Sequence, residues 1–235
     1  MQVIMEFNPP LVAGTLQRRY QRFLADVTLA DGHTCTVHCS NTGSLRTVLA
    51  PPQPAWLSPT PHNTLPYRLL ALGNNADTWV GVYPALANTL IAEALATQTL
   101  APFQAYPQWR AEVELLPGHR ADFLLQTATG QPHWLEVKSV SMATAGVAQF
   151  PDSVSTRATK HLVGLHHKLQ AGEGASVVFV VQRADCHTFR PAAALDPAFA
   201  AALQAAQAAG LGVYAYGCHL TQKGIALGPR LQVNI

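Results

Sequence analysis

At 235 residues the chain can bury one or two hydrophobic cores, and two modest domains are the expected division. Charged residues make up 12% and hydrophobic types 49%, with alanine prominent among them, which excludes a disordered chain. A net charge of +2 is too small to decide for or against a polyanionic partner, so local clustering must decide.

From the amino terminus, Met1 to Phe7 carries no basic stretch ahead of an apolar core, and no apolar run is long enough to cross a bilayer. Cys35, Cys39, Cys186 and Cys218 are too few and too scattered for a disulfide framework. Both features lead to the expectation of a soluble protein of the reducing cytoplasm. Residues from about Leu11 to Val82 read as short strands. Asp31-Gly32, Asn41-Thr42-Gly43 and the prolines Pro51, Pro52, Pro54, Pro59 and Pro61 punctuate them, which predicts a small all-β module over 1–82. Thr34 to Cys39 alternates and places Cys35, Val37 and Cys39 on one face. His33 and His38 lie beside these thiols, but a Cys-x3-Cys spacing without a second pair points to buried thiols rather than zinc.

Arg18-Arg19-Tyr20-Gln21-Arg22-Phe23 is the densest basic run and interleaves rings with guanidinium groups. Arg18, Arg19, Tyr20, Arg22 and Phe23 can meet phosphates and stack on bases as in oligonucleotide-binding β-barrels, or can form one solvated basic face of a strand; both readings stand. Tyr83 to Ala96 has helical periodicity with Leu86, Leu90, Ala94 and Leu95 on one stripe, and Pro84 suits a first turn. The second domain, 83–235, starts here. Glu93 on this helix can approach the acidic site described next or simply face solvent.

Three short strands joined by two tight turns follow, from Trp109 to Val140. Asp122 and Glu136 lie symmetrically about a turn near Thr129 and Gly130, so a regular antiparallel hairpin sets them opposite each other. Glu112 and Asp122 are symmetric about Pro117 and Gly118, which predicts a row of three carboxylates across the sheet. Opposed side chains have Cβ atoms about 4.5 to 5.5 Å apart, and like charges placed so are destabilising unless neutralised. A divalent cation would neutralise them. Lys138, two residues past Glu136, shares its face of the strand. For an isolated Glu-x-Lys the bland reading is an exposed cross-strand ion network.

Thr156 to Leu169 reads as a helix with Leu162, Leu165 and Leu169 inward and Arg157, Lys160, His161 and Lys168 on another face, suited to a phosphate backbone or to solvent. Ala175 to Val181 is a β-branched run fit for a central strand covered on both faces. Pro197 to Ala209 is an alanine-rich helix stopped by Gly210, and Leu211 to Leu220 is another strand.

Asp, then Glu-x-Lys on the next strand, is the arrangement of restriction-endonuclease-like PD-(D/E)xK enzymes. Further segments carry a resemblance over nearly the whole chain. They are Arg19-Tyr20 with Arg22-Phe23-Leu24-Ala25-Asp26-Val27, His38-Cys39 with Asn41-Thr42-Gly43, Ala121-Asp122-Phe123, and Glu136-Val137-Lys138-Ser139-Val140. Phe150-Pro151-Asp152 through Arg157, Lys160-His161-Leu162, and Phe189-Arg190-Pro191-Ala192 with Asp196 complete the set. In these the chain resembles the sugar fermentation stimulation protein A (SfsA) family. The resemblance implies an N-terminal OB-fold β-barrel and a C-terminal PD-(D/E)xK nuclease-like α/β domain, with DNA as partner and a role in regulating sugar utilisation.

It also implies that Asp122 and Glu136, with the Val137 carbonyl, bind Mg²⁺ (or Mn²⁺), whose preference is for oxygen ligands. Lys138 then orients the attacking water, Glu112 reaches a second ion or a bound water, and Arg157 and Lys160 stabilise charge on the phosphoryl group. Two function classes follow: a metal-dependent nuclease, or a non-catalytic DNA-binding regulator of sugar metabolism. A carbohydrate ligand for the β module is a third, since OB-folds also take oligosaccharides. Oligomeric state is left open, with a homodimer among the options.

Overall fold

The computed structural model describes residues 4–60, 63–74 and 78–235, so Met1 to Val3 and Pro61 lie outside the described residues. The first strand, β1 (Ile4–Glu6), precedes β2 (Val12–Tyr20), β3 (Leu24–Leu29), β4 (Thr34–His38), β5 (Gln53–Pro59), β6 (Tyr67–Gly73) and β7 (Trp79–Gly81). Strands pair in the order β4-β3-β2-β5-β6, and a bridge between His38 and Arg68 joins β4 back to β6. The result is a closed five-stranded barrel, with β7 paired to the outer side of β6. Its interior follows the alternation read from Thr34 to Cys39. Val37 and Cys39 are fully buried with Leu16, Val27, Leu57 and Leu72, and Cys35 packs against them.

Next come α1 (Ala85–Ala96), β8 (Gln108–Leu116), β9 (His119–Gln126), β10 (Pro132–Val140), β11 (Ala143–Thr144) and β12 (Val147–Phe150). The chain closes with α2 (Thr156–Gln170), β13 (Gly174–Val181), β14 (Thr188–Pro191), α3 (Pro197–Ala208), β15 (Gly212–Leu220), β16 (Gly224–Arg230) and β17 (Gln232–Val233). A seven-stranded sheet has the order β1-β16-β15-β13-β10-β9-β8. Its centre, β10-β13-β15, is parallel because α2 and α3 supply the crossovers. β13 is buried from Ala175 to Val181, as its unbroken apolar run requires. Helix α1 covers one face of the sheet and α2 with α3 the other, giving two apolar clusters. Leu70 and Ala71 of the barrel share the first of these with Leu90, Leu125 and Leu135, so the two parts meet through a common core.

Residues 1–82 were expected to form the β module, yet β1 pairs antiparallel with β16 of the large sheet through Ile4↔Ala226, Met5↔Ile225 and Glu6↔Gly224. That pairing satisfies backbone groups which an uncovered edge strand would leave open.

The loop after β4 locks the barrel onto the connection between β12 and α2. Gly43 sits against Asp152 so closely that a Cβ there would lie 2.2 Å from the carboxylate oxygen Oδ2. Asp152 accepts the Leu45 N–H at 3.1 Å, and its carbonyl accepts the Ser44 hydroxyl at 2.8 Å. Behind the loop, the Arg19 guanidinium donates to the carbonyls of Arg22, Asn41, Gly43 and Ser44 at 2.7 to 3.3 Å. Arg22 donates to the Thr42 carbonyl at 3.0 Å. Arg19, open to phosphate contact or to a solvated basic face on the sequence, is a clamp on backbone carbonyls. Arg19→Met keeps the apolar stem but strands these acceptors, and should lower unfolding free energy in urea by about 3 kcal/mol. A loss below about 0.5 kcal/mol would show that water replaces the guanidinium without cost.

Candidate metal and nucleic-acid site

The hairpin carrying the site has the anticipated register. β9 and β10 pair as Gln126↔Pro132, Leu125↔His133, Leu124↔Trp134 and Phe123↔Leu135, and one step further along this register stand Asp122 and Glu136. The ladder stops there because Asp122 takes over the backbone donor: its Oδ2 accepts the Val137 N–H at 2.7 Å. Its Oδ1 accepts from the Asn88 side-chain amide of α1 at 2.6 Å. Burial, and then the charge of Glu136, push the Asp122 carboxyl up to about 6, against an ordinary 3.8.

Glu136 is 2% exposed. Burial alone would raise it, but the Lys138 ammonium and the His161 imidazole outweigh this and hold it below the usual glutamate range. Lys138 Nζ lies 2.5 Å from Glu136 Oε1, and His161 Nδ1 is 2.6 Å from the same oxygen. Among the described residues, Glu136 Oε2 is buried with no hydrogen-bond partner, and so is His161 Nε2. Two neighbouring carboxylates, one of them with a bare oxygen in a low-dielectric pocket, match a hard divalent cation that keeps several waters. Asp122, Glu136 Oε2 and the Val137 carbonyl are the groups that would hold it, and Lys138 adjoins them.

The remaining predicted residues divide. Glu112 was expected as the third carboxylate of the row. The β8–β9 register holds on both sides of it, as Ala111↔Phe123 and Val113↔Ala121, but Glu112 itself has φ 55°. This left-handed turn breaks the pleat and leaves the residue exposed. Among the described residues no group of three or more His, Cys, Asp and Glu side chains is close enough to hold an ion. Glu112 instead lines a cavity of about 440 Å³ with Glu114, His119, Arg120 and Arg157.

His161 was expected on the basic outer face of its helix. It is 2% exposed and belongs to the inward stripe of Ala158, Leu162 and Leu165. Arg157 and Lys160 are exposed on α2, whereas Lys168 lies 4.3 Å over the Trp134 ring. On the barrel, Arg18 pairs with Asp26 at 2.7 Å and Tyr20 donates to the same carboxylate at 3.0 Å. Phe23 is 40% exposed, with the Arg22 guanidinium 5.8 Å from its ring centre. Glu93 makes no hydrogen bond or ion pair with either buried carboxylate; α1 meets the site through Asn88 instead. The signal for Asn88 was an amide among Leu86, Ala87, Leu90 and Ile91, on a helix otherwise facing the core.

A closed five-stranded barrel followed by this α/β sheet, with its buried carboxylate pair, defines an OB-fold protein with a restriction-endonuclease-like domain. The model described as the SfsA N-terminal OB domain matches residues 18–82, and that of the sugar fermentation stimulation protein RE domain matches residues 85–224. The chain is 42% identical over 233 residues to a sugar fermentation stimulation protein homolog of Rhodospirillum centenum, covering 98% of this chain and 100% of the relative. It is 39% identical over 234 residues to the homolog of Maricaulis maris, covering 98% and 99%. The chain belongs to the sugar fermentation stimulation protein family. The solved structure of Pyrococcus furiosus SfsA, described as a complex with Ca²⁺, has the same fold, with a TM-score of 0.90 at 23% identity and 100% of both chains covered. No helix among the described residues is long and apolar enough to cross a membrane.

The raised Asp122 carboxyl predicts a pH effect. The folded, metal-free protein takes up a proton between pH about 6 and 4 that the unfolded chain does not, so the ionised aspartate costs stability above pH 6 and the cost fades on acidification. In EDTA, Asp122→Asn should be more stable than wild type at pH 7.5 by about 2 kcal/mol, with the gap closing towards pH 4. Urea denaturation at the two pH values measures it. A variant equally or less stable at pH 7.5 contradicts the assigned burial cost.

Proposed function

We propose that this protein binds DNA and hydrolyses its phosphodiester bonds in the restriction-endonuclease-like domain, using Mg²⁺ (or Mn²⁺) at Asp122 and Glu136. The observation that carries the reading is the buried, unpartnered Glu136 Oε2 beside a second carboxylate. The Ca²⁺ named with the Pyrococcus furiosus protein is consistent with a divalent ion here. Bound at these oxygens, the ion would supply Lewis-acid polarisation of the phosphoryl group and lower the pKa of a water. The chain's own groups do the rest. Lys138, held on Glu136 Oε1, orients the attacking water, and Asp122 keeps its geometry through Asn88 and the Val137 N–H. Arg157 and Lys160, exposed on α2, meet the phosphates on either side and offset charge gathering on the phosphoryl oxygens. On the barrel, Phe23 offers a ring for stacking and Arg18 an exposed charge. The names of the relatives support a link between this activity and the stimulation of sugar fermentation.

One observation favours a second reading, DNA binding without turnover: Lys138 is paired with Glu136 rather than free. Incubation of labelled DNA with the protein, with and without Mg²⁺ or Mn²⁺, separates the two. The nuclease reading expects metal-dependent products that fall on the order of 10³-fold in Asp122→Asn and in Lys138→Met, with binding retained. Salt-dependent binding without products in wild type supports the regulator instead. Absence of both binding and products overturns the two readings together.

A further inference from the structure

Glu136 receives two donors on one oxygen and none on the other. Lys138 Nζ and His161 Nδ1 converge on Oε1 at 2.5 and 2.6 Å, while Oε2 is buried and bare. A carboxylate only accepts, so Nδ1 of His161 must carry a hydrogen and the tautomer is set by this contact. Helix α2 comes close enough for a short imidazole to reach the strand because Gly164, one turn on, has no side chain. A Cβ there would lie 2.9 Å from Leu116 and 3.0 Å from Leu115 of β8. The His119 ring packs edge-on against the His161 imidazole with centroids 5.6 Å apart. His161 is 2% exposed, so a DNA phosphate cannot reach it.

We propose that His161 is a positioning residue for the divalent-cation site: it fixes the rotamer of Glu136 so that Oε2 is the oxygen presented to the ion. This rests on the metal reading above. A glutamate has three side-chain torsions, and Lys138 alone, on a long flexible stem, would let the carboxylate turn. Groups that orient a ligand from behind are commonly worth 10- to 100-fold in metal affinity.

Manganese titration by calorimetry of the full chain tests this with three variants. In His161→Asn the side-chain amide nitrogen falls near the place of Nδ1; in His161→Gln it lies too far along the side chain; in His161→Leu there is no donor. Mn²⁺ affinity should drop by about 10- to 100-fold in His161→Leu and His161→Gln, and stay within about 3-fold of wild type in His161→Asn. Thermal melting in EDTA runs alongside, since a purely structural role would move all three melting points without this ordering in affinity. Equal Mn²⁺ affinity in all four proteins overturns the positioning role while leaving the metal site standing. An equal loss in His161→Asn and His161→Leu also overturns it. Wild type that takes up no Mn²⁺ removes the metal site itself, and the inference with it.

Discussion

The structure turns on two carboxylates, Asp122 and Glu136, buried side by side where their charges repel through a poor dielectric. The chain treats them unequally. Glu136 is given an ammonium and an imidazole, and its carboxyl is held low; Asp122 is given only an amide and a backbone N–H, and its carboxyl rises to about 6. Neutral donors soften the burial of a charge but do not cancel it. Among the described residues, the pair is therefore left with more negative charge than its neighbours offset, and with one oxygen that no donor satisfies. A cation of hard character would complete that balance at a point where three elements converge: α1 brings Asn88, the β9–β10 hairpin brings the acids and Lys138, and α2 brings His161.

The barrel takes part in this arrangement through a loop that its basic run holds in place. Arg19 and Arg22 hold the carbonyls of 41–44, and Asp152 ties that loop to the connection between β12 and α2. Thr42 and Gly43 then form one wall of a cavity of about 190 Å³ whose other wall includes Ser139, Ser141 and Ser155. Gln182, at the end of β13, donates to the Tyr83 carbonyl at 3.0 Å and to the Ser139 hydroxyl at 2.8 Å. The segment entering α1 is thus fastened to the strand residue that follows Lys138.

How much of this could be read beforehand depended on the range of the forces involved. The hairpin register was legible because Gly118 and Gly130, both at positive φ, mark the turns, and a period of two does the rest. α1, α2 and α3 were legible from their apolar stripes and stops. Glu112 was misplaced because a left-handed residue that is not glycine leaves no mark in composition. His161 reads as part of a basic face because Arg157, one helical turn before it, and the adjacent Lys160 are basic; its spacing of three from Ala158 and four from Leu165 puts it equally well on the inward stripe. Arg19 could not be told from a phosphate-binding arginine, since its partners are backbone carbonyls more than twenty residues away in the chain for all but Arg22. β1 joined the far sheet through a pairing that spans nearly the whole sequence, which local pattern does not encode.

Diffraction at the manganese edge from a crystal grown with Mn²⁺ addresses the central claim most directly. The account predicts an anomalous peak at inner-shell distance from Asp122 and from Glu136 Oε2, with His161 still on Oε1. No peak, with Lys138 and His161 on Glu136 and with Asn88 and the Val137 N–H on Asp122 unchanged, would contradict it.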